Sequence, residues 1–271
     1  MAVIRQIVVF LAVGALAAVA NAENSLPKKQ IDQVEMFAAM EAEQISVKLI
    51  PKDATQSTVI IENKTDKPLS IKLPEAFAGV PVLAQADAGI GGGGRRGGGG
   101  RNGGGGGVGG GGNQGMGGGM GMGGMGMGGM GMGGGMFNVG PEKIGKFKVA
   151  TVCLEHGKDD PNPRIAYEIK PIEEFTQDAR VIELCKLLGN RQIDQVSAQA
   201  AAWHLTDNLT WQDLAQKIKV KHLNGQVEMF FGQMHLQKAF RAVQVVTVQT
   251  KDEAESVSPG ELADKQVRLD K

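Results

Sequence analysis

The sequence is poor in cysteine and aromatic residues, and its charges cancel. Two cysteines, one tyrosine and two tryptophans occur among 271 residues, and 29 basic side chains balance 29 acidic ones. So few aromatic side chains do not favour a stacking surface for sugars or nucleic-acid bases. The balanced charge also removes the general electrostatic reason to expect nucleic acid or an anionic membrane as a partner.

Beyond its first 22 residues the sequence has no long apolar run, so no membrane span is expected in the mature chain. Met1–Ala22 combines a positive charge at Arg5, the apolar run Ile7–Ala20 and the small-residue pattern Ala20-Asn21-Ala22. This arrangement predicts a signal peptide, and an uncleaved anchor is the alternative. We therefore expect export to the periplasm, the cell surface or the medium, where two cysteines can form a disulfide.

Glycine is concentrated in one segment, since 32 of the 41 glycines lie in Gly89–Gly135. The first part of this segment carries three arginines and no acid, and it is similar to the Arg/Gly segments of RNA-binding proteins. Because export is expected, contact with an anionic surface polymer or with solvent is favoured over RNA. The second part alternates methionine with one to three glycines. With no aromatic residue and little apolar surface to bury, the segment is predicted to be a disordered insertion.

The segments on either side of this insertion have the pattern of short β-strands. Apolar and polar residues alternate in Ile45–Ile50 and Lys146–Leu154, and turn residues separate successive strands at intervals of about ten residues. The pattern predicts an immunoglobulin-like β-sandwich in two parts, residues 23–88 and 136–172, split by the disordered Gly89–Gly135.

The rest of the chain has the pattern of a small helical domain over residues 173–250 and a polar tail over residues 251–271. Apolar residues recur at helical spacing, and Thr210 with Asp213 has the pattern of a capping box at a helix start. The sequence therefore predicts an α+β protein, with a short helix over Gln30–Glu43 and later helices over Thr176–Gly189, Arg191–Asp207, Trp211–Val220 and Phe230–Val246.

The methionines of the glycine-rich segment are candidate ligands for a soft metal. Thioethers suit Cu(I) or Ag(I) better than hard cations, and the segment resembles the methionine motifs of periplasmic copper-handling proteins. The alternative is that methionine is only an apolar spacer in a low-complexity tract. The candidate ligands are Met116, Met120, Met122, Met125, Met127, Met130, Met132 and Met136.

The two cysteines, Cys153 and Cys185, are candidates for a disulfide, because an even number of cysteines in an exported chain favours pairing. Cys185 also lies on an apolar helical stripe, which is typical of core packing. A zinc site that combines both cysteines with His156 and His204 lacks the second clustered pair of ligands that structural zinc sites use.

A more specific resemblance involves Cys153 and the helix that contains Gln199. Val152-Cys153-Leu154, followed by Tyr167 and by Gln199-Ala-Ala-Ala-Trp203, resembles the thioester domains of bacterial surface adhesins. The resemblance implies an internal thioester between the Cys153 sulfur and the Gln199 side-chain carbonyl, which would capture an amine on a target surface. A disulfide with Cys185 remains the competing assignment for Cys153.

Leu73–Gln85, the glycine-rich insertion and Val152–Pro163 together resemble uncharacterised exported proteins of planctomycete-type bacteria. The resemblance implies export and no activity, and no nucleophile elbow, zincin motif or paired carboxylate occurs. The sequence therefore favours an exported, non-enzymatic structural or interaction protein without a required cofactor. Its partner would be an unknown protein or a cell-surface polymer. A thioester adhesin and a Cu(I) or Ag(I) binder are the alternatives, and a hydrolase is the weakest.

Overall fold

The computed structural model describes residues 31–82, 112–121 and 135–256, so the predicted signal peptide lies outside the described residues. Eleven strands and five helices are found in these ranges, which confirms the α+β class. The strands are β1 (Asp32–Glu35), β2 (Ile45–Pro51), β3 (Gln56–Asn63), β4 (Leu69–Lys72), β5 (Phe77–Pro81), β6 (Met116–Gly118), β7 (Met136–Val139), β8 (Ile144–Cys153), β9 (Tyr167–Lys170), β10 (Ile218–Lys221) and β11 (Val227–Met229). The helices are α1 (Met36–Glu41), α2 (Ala179–Gly189), α3 (Gln195–Thr206), α4 (Trp211–Gln216) and α5 (Gln233–Ser256).

Six strands form a closed barrel in the order β2-β3-β8-β6-β5-β9, so the predicted immunoglobulin-like sandwich is wrong. The long strand β8 pairs with β3 through Ile144–Ala150 and with β6 through Thr151–Cys153, which carries the sheet around the core. Strand β9 pairs with β5 and meets β2 at Leu49 and Tyr167, which completes the closure. The buried barrel core includes Leu49, Val59, Ile61, Phe77, Met116, Phe147, Val149, Tyr167 and Ile169.

A second, three-stranded sheet in the order β1-β4-β7 lies beside the barrel. The buried amide of Asn63 joins the two, because its Nδ2 donates to the carbonyls of Lys67, Val139 and Gly140. Strand β1 pairs in parallel with β4. The predicted helix over Gln30–Glu43 is therefore restricted to Met36–Glu41, because the residues before it use their backbone groups in this sheet.

Part of the glycine-rich segment is a barrel strand, so the predicted disorder is wrong for residues 112–121. Strand β6 pairs with β5 on one side and β8 on the other. Met116 and Met120 are buried at 0 % and 2 % exposure. Two large apolar side chains and paired backbone groups on both edges stabilise a strand that its glycines would not favour. Most of Gly89–Gly135, namely residues 89–111 and 122–134, lies outside the described residues.

Glycine is required in β6 because helix α2 lies directly against its backbone. A Cβ atom on Gly117 would lie 2.7 Å from Cys185 Sγ. A Cβ atom on Gly119 would lie 2.6 Å from the carbonyl oxygen of Glu75 and 2.7 Å from the Cα of Gly189. Such distances are shorter than any that real Cβ atoms adopt, and strand glycines often mark the close approach of another backbone.

Helices α2, α3 and α5 pack on the outside of the barrel around a second buried cluster. This cluster joins Val152 and Leu154 of the barrel wall to Leu184 of α2, Ala200 of α3 and Val246 of α5. Among the described residues, no helix is long and apolar enough to cross a membrane.

Three predicted boundaries in this part of the chain are wrong. The helix that starts at Trp211 ends at Gln216, because β-branched residues and an Asn224-Gly225 turn form the hairpin β10–β11 instead. Helix α5 begins at Gln233 and extends to Ser256, six residues into the predicted polar tail. The capping box at Thr210 and Asp213 is confirmed.

Candidate functional site

Strand β6 pairs with one edge of the end of strand β8, but the edge that faces β3 is completed there by glutamine side chains. Strand β3 pairs with β8 only as far as Ala150. Beyond that point Gln195 Nε2 donates to the Thr151 carbonyl at 3.0 Å. Gln199 Oε1 accepts the Cys153 N–H at 2.8 Å, and its Nε2 donates to the Cys153 carbonyl at 2.9 Å. The two glutamines are four residues apart on α3, so they share one helix face and attach it to the barrel edge.

The structure therefore brings together the two residues of the predicted thioester, Cys153 and Gln199. The contact joins the Gln199 amide to the backbone of Cys153, and the amide uses both its donor and its acceptor in it. Burial, with smaller effects of Asp160 and Asp53, raises the pKa of the Cys153 thiol. A raised pKa favours the thiol over the thiolate, which is the nucleophilic form.

Cys153 and Cys185 are both free thiols, so the predicted disulfide is not formed in this structure. Both belong to one buried cluster, but Cys153 lies on strand β8 and Cys185 on helix α2. Cys153 lies opposite Met116 in the strand register, whereas Cys185 Sγ faces the neighbouring Gly117. Burial raises the pKa of Cys185 to about 12.

The first two methionines of the predicted metal site, Met116 and Met120, are buried in the protein core. Met116 and Met120 are core residues, and Met116 Sδ accepts a hydrogen bond from Ser57 Oγ at 3.9 Å. Met136 is half-buried on β7. Because the first two side chains fill the barrel, a copper site formed by the whole ladder is not compatible with this fold. Binding of Cu(I) by Met122, Met125, Met127, Met130 and Met132, which lie outside the described residues, stays a prediction.

The histidines and cysteines do not converge on a metal site in the part of the chain that the structure describes. His204 is stacked on Trp211 with 4.3 Å between ring centroids, and its Nδ1 lies 2.8 Å from the carbonyl oxygen of Leu209. His156 instead contacts Lys217, whose Nζ lies 2.7 Å from His156 Nε2. Sequence reasoning missed Lys217, because 61 residues separate it from His156 and no local motif links them.

A groove of about 920 Å³ lies between the α2–α3 connection and helix α5. Its size is within the range of ligand sites in proteins. Apolar side chains form much of its wall, and basic and amide side chains supply the polar part. The lining residues are Ala150, Leu187, Leu188, Arg191, Gln192, Ile193, Asp194, Gln195, Lys238, Arg241, Ala242, Val245 and Gln249.

The groove carries an excess of positive charge. Three basic side chains and one acid line it, and Lys238 Nζ pairs with Asp194 Oδ2 at 3.0 Å. Asp194 also accepts the Ser197 N–H at 3.0 Å, which caps helix α3. Within the described residues, neither Arg191 nor Arg241 has a carboxylate at ion-pair distance. The groove therefore presents two uncompensated guanidinium groups beside an apolar surface.

Arg191 has an unusual backbone conformation. It follows the last residues of α2 with φ of 57°, in the left-handed region. Glycine is the usual residue there at a helix end, because a side chain in this region costs about 1–2 kcal/mol. The conformation directs the chain from α2 into the connection that lines the groove.

No protein-family model matches this chain, and comparisons with curated proteins and with solved structures also find no match.

Proposed function

We propose that this chain is an exported, non-enzymatic interaction protein whose groove binds an acidic, partly apolar peptide segment of a partner protein. The groove between the α2–α3 connection and α5 supports this proposal, because Arg191 and Arg241 lie beside an apolar surface and have no carboxylate partner among the described residues. Export is inferred from the signal-peptide pattern of Met1–Ala22.

The chemistry of the groove favours a peptide over an anionic cell-surface polymer. Leu187, Ile193, Ala242 and Val245 present apolar surface, and each 100 Å² removed from water contributes about 2.5 kcal/mol. A polyanion without apolar groups would leave this apolar surface exposed to water. A segment that carries both carboxylates and apolar side chains can cover the wall and pair with the guanidinium groups, which bind carboxylates in a bidentate manner.

The backbone of Arg191 supports a functional assignment for this residue. Residues held in sparsely populated backbone regions concentrate at binding and catalytic sites. Glycine at position 191 would relieve the left-handed conformation and remove the guanidinium. Arginine at this position costs conformational energy, and a ligand bound by its side chain would explain why arginine rather than glycine is present.

The substitution Arg191→Gly separates binding from stability. We expect the thermal unfolding midpoint to stay the same or rise, because the strain is relieved. Affinity for an acidic ligand should fall roughly tenfold or more, since a hydrogen bond to a charged group contributes about 1.5–3 kcal/mol. The probes are anilinonaphthalene sulfonate and a fluorescein-labelled peptide of alternating leucine and glutamate, and binding is measured by fluorescence titration.

Glu43→Gly is the matched control. Glu43 has the same left-handed backbone, with φ of 56°, and does not line the groove. Like Arg191→Gly, this variant should leave the thermal unfolding midpoint unchanged or raise it, but it should not change the affinity for either probe. A second variant, Arg241→Gln, should weaken binding like Arg191→Gly. Equal affinities in wild type, Arg191→Gly and Arg241→Gln, or equal binding of a peptide with glutamine in place of glutamate, would refute the proposal.

A thioester adhesin is the second candidate, and the position of Gln199 against Cys153 favours it. In that reaction the Cys153 sulfur attacks the Gln199 side-chain carbonyl carbon, ammonia leaves, and an amine on the target later displaces the sulfur. The amide would have to leave the Cys153 backbone, and the buried thiol would have to lose its proton.

The intact mass of the mature protein tests the thioester. A thioester makes the chain lighter by one ammonia, survives Cys185→Ser and is lost in Gln199→Ala. A mass equal to that of the unmodified mature sequence would exclude it and leave Gln199 as a structural partner of β8.

A further inference from the structure

We propose that Lys217 is a nucleophilic amine that captures aldehydes as imines, with His156 as its proton acceptor. The site lies at the junction of α4 and β10 and uses none of the residues that line the groove. The inference is therefore independent of the proposed peptide binding.

The geometry joins the two side chains directly. Lys217 Nζ lies 2.7 Å from His156 Nε2, so the amine and the ring nitrogen are close enough to exchange a proton directly. His156 is held in place by its backbone N–H, which donates to Asp207 Oδ1 at 3.0 Å. Its ring also packs edge-on against Trp203, with 4.8 Å between centroids. A fixed base beside an amine is the arrangement that activates a lysine nucleophile.

Aromatic rings cover the other side of the amine. Lys217 Nζ lies 4.9 Å from the centroid of the Trp203 ring and 5.8 Å from that of Phe230. The rings interact with an ammonium group but cannot accept its proton, and they cover only one side of it. Lys217 and His156 are half-buried rather than enclosed, so a small reagent can reach them.

No carboxylate of the described chain lies within ion-pair distance of Lys217. Burial lowers the pKa of Lys217, and the more distant Asp160 opposes this shift. Burial also lowers the pKa of His156, as does the charge of Lys217, while Asp207 opposes both. Both shifts disfavour the state in which the Lys217 amine and the His156 ring are positively charged at the same time.

Lys219 provides an internal comparison two residues away. It is exposed on the hairpin, and its Nζ pairs with Glu228 Oε1 at 2.7 Å. It has neither a histidine partner nor an aromatic cover among the described residues. Lys219 therefore lacks both the base and the aromatic cover that surround Lys217.

The capture step is balanced within the pair. The Lys217 ammonium transfers one proton to His156 Nε2, and the neutral amine attacks the carbonyl carbon of the aldehyde. The new C–N bond forms as the carbonyl π bond breaks, and a proton moves from the attacking nitrogen to the oxygen to give a carbinolamine. The histidine then returns its proton to the leaving hydroxyl group, the C–O bond breaks and water departs. The product is a protonated imine, so one ammonium group and one aldehyde give one protonated imine and one water without an oxidant or reductant.

The test is site-resolved labelling of the full mature chain with butanal, followed by borohydride reduction and peptide mass spectrometry. At neutral pH we expect Lys217 to be labelled several-fold faster than Lys219, because the neutral fraction of an amine rises roughly tenfold for each unit by which its pKa is lower. The difference should shrink as the pH approaches that at which both amines are neutral. Equal labelling rates for Lys217 and Lys219 at neutral pH would overturn the proposal.

Substitution of the base gives a second readout. His156→Gln preserves a hydrogen-bond acceptor but cannot take up the proton, so Lys217 labelling should slow while Lys219 labelling is unchanged. His222→Gln, on the exposed hairpin, is the matched control and should change neither rate. An undiminished Lys217 rate in His156→Gln, with a native thermal unfolding midpoint, would refute the role of His156. Fluorescence binding to the groove should be the same in both variants.

Discussion

The substitution Gly119→Ala tests whether the glycine-rich segment is part of the folded barrel. Its added methyl group would lie 2.6 Å from the carbonyl oxygen of Glu75 and 2.7 Å from the Cα of Gly189. Both neighbours are backbone atoms, so no side chain can rotate away to make room. Helix α2 and strand β6 must instead separate locally.

The expected loss of stability follows from two opposing effects. Overpacking of a closely packed contact typically costs about 1–3 kcal/mol. Replacement of glycine by alanine also restricts the unfolded chain, which stabilises the native state by about 0.4–1 kcal/mol. The midpoints of these two ranges give a net loss of roughly 1.3 kcal/mol. For a domain of this size, it corresponds to a fall of about 3–5 °C in the thermal unfolding midpoint.

Gly112→Ala is the matched control, because a Cβ atom there would have no neighbour within 4 Å and its φ is not in the left-handed region. It should leave the midpoint unchanged or raise it slightly. Thermal unfolding followed by circular dichroism, with urea unfolding to confirm an unchanged slope, measures both variants. If Gly119→Ala and Gly112→Ala have the same midpoint, β6 does not pack against α2 and the barrel described above is wrong.

Three other predictions follow from the same structure. Met116→Ala should lower the free energy of unfolding by about 2–5 kcal/mol, whereas Met116→Leu should lower it by less than about 1.5 kcal/mol. Gln199→Leu leaves the buried N–H and carbonyl of Cys153 without partners, so urea unfolding should show a loss of about 1–3 kcal/mol and the Cys153 amide should exchange faster. A hydrogen bond from Arg180 lowers the pKa of Asp178 below its ordinary value of 3.8. The stability that this carboxylate contributes is therefore present above that value and is lost as the pH falls through the lower native pKa. Asp178→Asn keeps the helix cap and should flatten the acid limb of stability against pH; an unchanged acid limb would contradict the assignment.

Local patterns predicted the elements whose residues are close in sequence. Helix α2 lies within the predicted range Thr176–Gly189, and α3 lies within Arg191–Asp207. Apolar spacing and capping residues act over one or two helical turns, so they can be read from the sequence. The alternation in Lys146–Leu154 likewise predicted most of β8.

The candidate site was predicted only in part. Cys153 and Gln199 were expected to lie together, and they do, but through the Cys153 backbone rather than through its sulfur. Gln199 can bond the Cys153 backbone only because the pairing of β3 with β8 stops at Ala150, which leaves the later backbone groups on that edge without a strand partner. Where this pairing stops depends on the register of the two strands, which the local sequence does not reveal. The contact between Lys217 and His156 could not be predicted either, because it joins two loops that are 61 residues apart in the sequence.

The sequence by itself determined the α+β class, helices α2 and α3 and the capping box at Thr210, because these depend on residues a few positions apart. Only the tertiary structure decided that the barrel closes and that residues 112–121 supply one of its strands. A tract of glycine has little intrinsic preference for a strand. It becomes one here because Met116 and Met120 fill the barrel core, while Gly117 and Gly119 allow α2 to approach its backbone. These contacts exist only after the rest of the chain has folded around them.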